Sequence, residues 1–355
     1  MRKKSFKISK KKLKLIIGWI VIVISLIFWV VDIQLGPAYT AKNDNNTIKK
    51  EVWSGNFETD IHNITGEMFI GPDKQVWQKY LQYFVNTDDF LYLQNYEITQ
   101  NSRKEQFQNL TERNIPVKMI LENKIYAAYT NYFQQVQDYF AEDDLVSIQS
   151  DDPMGTIYVH TKMMVNEDGF RIQTANLTKS SFESNREHFY YSTDEGIRQS
   201  LVQLFETDRE GSGLKISDLH PNLVVCPLNC RAVVEKLLKD AKSSITIQTQ
   251  YIMDTQVLAI LRSQSELVDL KIILADTEDN QKVVKYFGKN VARILTSNYN
   301  HTKMILIDDK YLLLGSMNLS DNSLDNNREI GIILLDSTLI QQFKTDFMKD
   351  WNGSA

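Results

Sequence analysis

The sequence predicts an α/β body of two pseudo-symmetric halves, each a mixed, mainly parallel sheet flanked by helices, preceded by one transmembrane helix. Three observations predict it. There is one long uncharged run near the N-terminus, a strand–helix–strand order that occurs twice, and a polar motif repeated at matching offsets. The 355 residues are 43% hydrophobic and 24% charged, which is ordinary globular composition.

Residues 1–14 are a basic tail, holding eight of the chain's forty Lys and Arg residues. Residues 15–33 read as a transmembrane signal anchor. The seventeen residues Leu15–Val31 carry no charge and just span a hydrocarbon core of about 30 Å, with Trp19 and Trp29 near its interfaces. Basic residues on the N-terminal side alone place the N-terminus in the cytoplasm and the body outside the cell membrane as a single-pass protein. A cleaved signal peptide ending near Ala38–Ala41 is the rival reading, and it exports the body equally. Residues 34–55 form a polar, Asn- and Lys-rich linker. Beyond the tail, thirty-two basic residues face forty-five acidic ones, a balance of −13 that disfavours non-specific binding to nucleic acid.

The halves span 56–206 and 222–352, joined by the polar stretch 207–221. In each, a proline precedes a helical segment and a strand ending in tyrosine: Pro72 to Tyr96 is 24 residues, and so is Pro227 to Tyr251. A charged helix and an apolar strand follow, Val117–Leu121 in one half and Leu270–Leu274 in the other. Then come His160-Thr161-Lys162, Thr174-Ala175-Asn176 and Asn185-Arg186-Glu187. The second copy reads His301-Thr302-Lys303, Ser316-Met317-Asn318 and Asn327-Arg328-Glu329. His to Glu is 27 residues in the first and 28 in the second.

On a strand, alternate side chains share a face, so His160 points with Lys162 and His301 with Lys303. The turns that follow bring Thr174 and Asn176, or Ser316 and Asn318, to the same edge. Packed about a pseudo-two-fold axis, both sets meet in one cleft. Lysines, amides and hydroxyls suit the oxygens of a phosphate. One imidazole can attack phosphorus while the other protonates the departing alcohol. Glu187 and Glu329 can each hold the far nitrogen of a catalytic histidine. The lysines supply positive charge, so neither metal nor other cofactor is expected.

This constellation resembles the phospholipase D superfamily, whose signature is His-x-Lys, four residues, Asp, six residues, Gly-Ser-x-Asn. His301, Lys303, Asp308, Gly315, Ser316 and Asn318 match it in full. The first copy departs twice: Glu167 stands at the Asp position, and Gln173-Thr174-Ala175-Asn176 replaces Gly-Ser-x-Asn. The resemblance covers nearly all of 57–351. It implies two phospholipase D-like halves with the active site at their seam, a structural role for Glu167, Asp308 and Gly315, and a metal-independent displacement through a phosphohistidine. By analogy the nucleophile is His160 and the acid His301. The leading substrate is a phospholipid, hydrolysed or with its phosphatidyl group transferred. The alternatives are an exported nuclease acting on single-stranded nucleic acid and a non-catalytic phosphate-binding module. The duplication lies within one chain, so oligomerisation is not required.

Outside the repeat, His188 reads as structural, and His62 and His220 as surface residues. Cys226 and Cys230, four apart at a turn, read as a disulfide in an exported body. The aromatic run Tyr126–Phe133 reads either as a packed helix face or as a wall of the cleft.

Overall fold

The computed structural model describes residues 53–99, 101–125 and 131–355. The basic tail, the expected anchor and most of the linker lie outside them. Among the described residues, no helix is long and apolar enough to cross a membrane.

Each half builds one sheet. The first contains β1 (Glu67–Gly71), β2 (Leu91–Asn95), β3 (Val117–Leu121), β4 (Val146–Ser150), β5 (Lys162–Asn166), β6 (Phe170–Gln173) and β7 (Asn185–Ser192), in the order β1-β7-β6-β5-β2-β3-β4. The second contains β8 (Leu223–Cys226), β9 (Ser244–Thr249), β10 (Asp269–Leu274), β11 (Ala292–Ile294), β13 (Lys303–Ile307), β14 (Tyr311–Gly315) and β15 (Glu329–Leu334), in the order β11-β10-β9-β13-β14-β15-β8. The short β12 (Tyr299–Asn300) belongs to the second half by sequence but pairs with β7 of the first.

The sheets are mixed but mainly antiparallel, which corrects the expectation of mainly parallel ones. Apart from the β12–β7 pair, parallel pairing is confined to β2-β3-β4 and β9-β10-β11 among the named strands. There the predicted strand–helix–strand order holds, with helices such as Asn101–Thr111 and Thr255–Gln264 crossing over. The motif strands follow one another through three-residue turns, Glu167–Gly169 and Asp308–Lys310. Turns that short join antiparallel neighbours only.

Alternation along the strands sorts the core into layers. Met163, Val165 and Ile172 face Met304, Leu306 and Leu314 across the seam, together with Phe205 and Phe343 from the last helix of each half. Side chains one residue out of phase point the other way. Leu91, Leu93 and Met164 meet Tyr80 and Phe107 on one outer side, while Ile305, Ile307 and Leu313 meet Val234 and Leu261 on the other. Both faces of each sheet are therefore covered, and the seam is part of one continuous core.

Helix Glu195–Glu210 runs on into the segment read as a link, capped by Asp194 and ended by Gly211 at φ 67°. Leu201, Leu204 and Phe205 are buried on it, so its apolar stripe outweighs the polar residues that suggested a break. Cys226 and Cys230 are disulfide-bonded, with Cα atoms 4.7 Å apart. Residues 126–130 of the aromatic run lie outside the described residues. Tyr132 is buried in helix Tyr132–Tyr139 and accepts the Ile98 N–H, so it belongs to the core. His220 is half-buried rather than a surface residue, its ring 5.7 Å from that of the exposed His62.

Candidate active site

The two His-x-Lys pairs stand at the starts of β5 and β13, and each is held by the other half. His160 N–H donates to the Arg328 carbonyl at 2.9 Å, and His301 N–H to the Arg186 carbonyl at 3.1 Å. The side chains cross as well. His160 Nδ1 lies 2.8 Å from Glu329 Oε2, and His301 Nδ1 lies 2.8 Å from Glu187 Oε1. With Nδ1–H given to a carboxylate, the Nε2 lone pair of each ring is left for chemistry. The sequence pointed to His–Glu pairing; the exchange of partners between halves is a tertiary fact.

Lys162 and Lys303 are nearly fully buried, and each Nζ donates to the carbonyl of its own motif histidine at 2.7 Å. Lys303 Nζ also donates to Gln250 Oε1 at 3.2 Å. Burial lowers Lys162 to about 8 and Lys303 to about 7, against the pull of Glu187 and Glu329. Burial likewise lowers His160 to about 4 and also lowers His301, against the raising effect of their carboxylate partners. Both imidazoles are thus biased to the neutral form. Burial pushes Glu329 up, but His160 and Lys162 more than reverse it, so it stays ionised.

The hydroxyls have a different task from the one expected. Thr174 Oγ1 donates to Glu187 Oε2 at 2.5 Å and accepts the His188 N–H at 2.9 Å. Ser316 Oγ donates to the Ile330 carbonyl at 3.3 Å and accepts the Ile330 N–H at 3.0 Å. Both are fully buried, and their hydroxyls are engaged within the protein. They tie each Asn-bearing turn to the strand that carries the histidine-paired glutamate. In the second half Ser323 supplies the hydroxyl for Glu329. Asn185 and Asn327 add amide bonds to Glu187 and Glu329 at 3.4 and 3.3 Å. The repeated Asn-x-Glu spacing was the signal for these two asparagines, whereas Ser323 had none. Asn176 Nδ2 donates to Glu97 Oε1 at 3.2 Å, and the Oδ1 atoms of Asn176 and Asn318 are buried without partners among the described residues.

Asp308 and Glu167 sit away from this chemistry. The Asp308 carboxylate accepts N–H bonds from Lys242, Ser243 and Ser244, pinning the chain that leads into β9. Glu167 takes the N–H groups of Asp88 and Phe90 ahead of β2. The longer side chain reaches the equivalent turn, so the Asp-to-Glu departure keeps the interaction. A Cβ on Gly315 would come within 2.6 Å of the Ile330 carbonyl oxygen, which leaves room only for hydrogen. His188 is buried against Phe343, in keeping with a structural role.

Two deeper ion pairs repeat the symmetry. Arg328 binds Asp208 at 2.8 Å and the Cys226 carbonyl at 3.0 Å, while Arg186 binds Asp350 at 2.7 Å and the Gly71 carbonyl at 3.4 Å. Each aspartate lies on the last helix of the opposite half from its arginine.

Residues 234–351 match the family model described as the cardiolipin synthase, phospholipase D-like domain. This part of the chain is a phospholipase D-like domain. A cardiolipin synthase of Bacillus anthracis is 32% identical over 130 residues, which is 34% of this chain and 26% of that protein. A phospholipase D of Rickettsia typhi is 27% identical over 131 residues, 35% of this chain and 62% of that protein. The match therefore spans about a quarter of the cardiolipin synthase's length. The solved structure of a phosphatidylserine synthase from Haemophilus influenzae Rd KW20 has a TM-score of 0.64 at 14% identity, covering 81% of this chain and 87% of that one. It shares the fold. The family model covers the second half; the crossed His–Glu pairs tie the first half of this phospholipase D-like chain into the same site.

Proposed function

We propose that the chain is a metal-independent phosphodiesterase of the phospholipase D type, acting on phospholipid by hydrolysis or phosphatidyl transfer. The observation that carries the reading is the crossed pair His160–Glu329 and His301–Glu187, with a buried lysine beside each histidine. His160 Nε2 attacks phosphorus and the bond to the departing alcohol oxygen breaks. His301 Nε2 gives its proton to that oxygen. His301 then takes a proton from water or an acceptor alcohol, whose oxygen displaces His160 and frees the phosphoryl product. Glu329 keeps His160 in the attacking tautomer and Glu187 stabilises the His301 imidazolium. The incoming phosphodiester's negative charge raises the proton affinity of His301, which burial alone would depress. Lys162 and Lys303 offset charge on the equatorial oxygens.

The body works outside the cell membrane on an N-terminal anchor. The Cys226–Cys230 disulfide fits that address, because such bonds persist in oxidising compartments.

The test uses the purified chain in EDTA, with phospholipid vesicles in one arm and end-labelled single-stranded DNA in the other, and His301→Asn as control. The expected result is headgroup release that disappears in the variant, with a phosphatidyl group trapped on His160 of the unmodified chain by peptide mass spectrometry. A phosphatidyl group trapped on His301 reverses the two roles. DNA shortening without lipid turnover replaces the lipid reading with a nuclease. Silence in both arms favours a non-catalytic phosphate-binding module.

A further inference from the structure

The two halves differ at one charged position in the cleft. Asn95 lies opposite Lys162 in the β2–β5 ladder, and Thr249 lies opposite Lys303 in the β9–β13 ladder. Three residues further along each segment, Ile98 bridges Leu177 and Ile252 bridges Leu319. These registers set Glu97 of the first half against Tyr251 of the second. Equal spacing from Pro72 and Pro227 had instead matched Tyr96 with Tyr251, one residue off.

Glu97 is a carboxylate in a cleft otherwise arranged for an anion. Its Oε1 accepts the Asn176 amide at 3.2 Å, and Lys162 and Glu97 interact electrostatically. Beside it Tyr96 sets its ring 5.0 Å from that of His160, 6.4 Å from that of Tyr158 and 5.5 Å from Lys162 Nζ. The charges do not balance for a simple anionic diester. Glu97, Glu187 and Glu329 are set against Lys162 and Lys303, the proton that His301 takes up with substrate offsets only the third carboxylate, and Arg328 and Arg186 are paired with Asp208 and Asp350. A phosphodiester with an uncharged substituent adds a further negative charge to a buried, low-dielectric site. A zwitterionic one adds none.

We propose that Glu97, with the faces of Tyr96 and Tyr158, forms a subsite for the ammonium group of a zwitterionic phosphodiester. The carboxylate neutralises the cation and the tyrosine rings attract it through their quadrupoles. This deepens the phosphodiesterase reading and rests on it, because the phosphate is placed between the two histidines.

The test measures equilibrium binding by calorimetry, in the full-length His301→Asn protein, which cannot turn substrate over. The two ligands are glycerophosphoethanolamine and glycerophosphoglycerol, equal in phosphate and differing in the ammonium. The ethanolamine diester is expected to bind at least about tenfold more tightly. Adding Glu97→Gln is expected to abolish that preference while leaving the glycerol diester within about threefold, which also shows that the phosphate site is still folded. Glu97→Asp is expected to restore it. Equal affinity for the two ligands, binding of neither, or a preference that survives Glu97→Gln overturns the subsite. So does tighter binding of both diesters in Glu97→Gln, which would make Glu97 a competitor of the phosphate. Turnover of the same diesters by the unmodified chain tests the phosphodiesterase reading separately: turnover without preference sinks the subsite alone, and preference without turnover sinks the reading alone.

Discussion

At the scale of single residues, the catalytic proposal depends on which nitrogen of each histidine carries the proton. Glu329 and Glu187 hold Nδ1–H, and an amide in either place would accept less strongly and could equally donate to the wrong tautomer. Glu329→Gln and Glu187→Gln are each expected to lower kcat by roughly 100-fold or more, with little change in KM, in steady-state assays. The pH profile follows from the shifted groups. His160, lowered to about 4, stays unprotonated well below the pH at which an ordinary histidine takes up a proton. The kcat/KM of the free enzyme is therefore expected to persist on the acid side and to fall first as His301, lowered below the ordinary histidine value, loses its proton, and further at about pH 7–8 as Lys303 and Lys162 lose theirs. Stability should show the complementary sign. Between about pH 4 and the unfolded value near 6.5 the unfolded chain binds the His160 proton and the folded chain does not, so stability rises with pH there. A His160→Gln protein should show a shallower rise of Tm across that window.

At the scale of elements, the motif turns matter more to the fold than to the chemistry. Asp308 sits at φ 54° and ties the turn after β13 to the chain leading into β9. Asp308→Ala removes those acceptors and puts a Cβ residue without a local hydrogen bond in the left-handed region. A loss of about 2–3 kcal/mol is expected in denaturant unfolding. Asp308→Asn should lose less, because asparagine tolerates that backbone and keeps one acceptor oxygen. The two copies solve one problem with different residues here. Glu167 reaches what Asp308 reaches, and Thr174 does for Glu187 what Ser323 does for Glu329. A departure from a motif in one half thus marks a substitution of reach, not a loss of the contact.

At the scale of the whole molecule, the two halves form one site because each completes the other. Asp208 and Arg328 are almost entirely buried, and the Arg328 carbonyl also receives the His160 N–H. Asp208→Asn leaves a guanidinium buried without its counter-charge, which is expected to cost about 3–5 kcal/mol. The measurement is chemical denaturation together with kcat, and the stability loss should exceed that of Asp350→Asn, whose pair with Arg186 is less buried.

The duplication, the His-x-Lys pairs, the glutamates and the disulfide were legible in the sequence, because each rests on spacing along the chain or on alternation within a strand. The parallel β2-β3-β4 and β9-β10-β11 triplets were legible for the same reason. Tertiary structure alone decided that the motif strands are antiparallel, because hydrogen-bond direction is set by turn length as well as by element order. It alone crossed His160 to Glu329 and His301 to Glu187, because partners 169 and 114 residues apart are chosen by how the sheets pack. It also engaged the Thr174 and Ser316 hydroxyls within the protein and brought Glu97 to Asn176. A sequence records which groups are available, whereas the direction of a buried hydroxyl or carboxylate is settled by whichever unpaired partner the packed neighbours leave within reach.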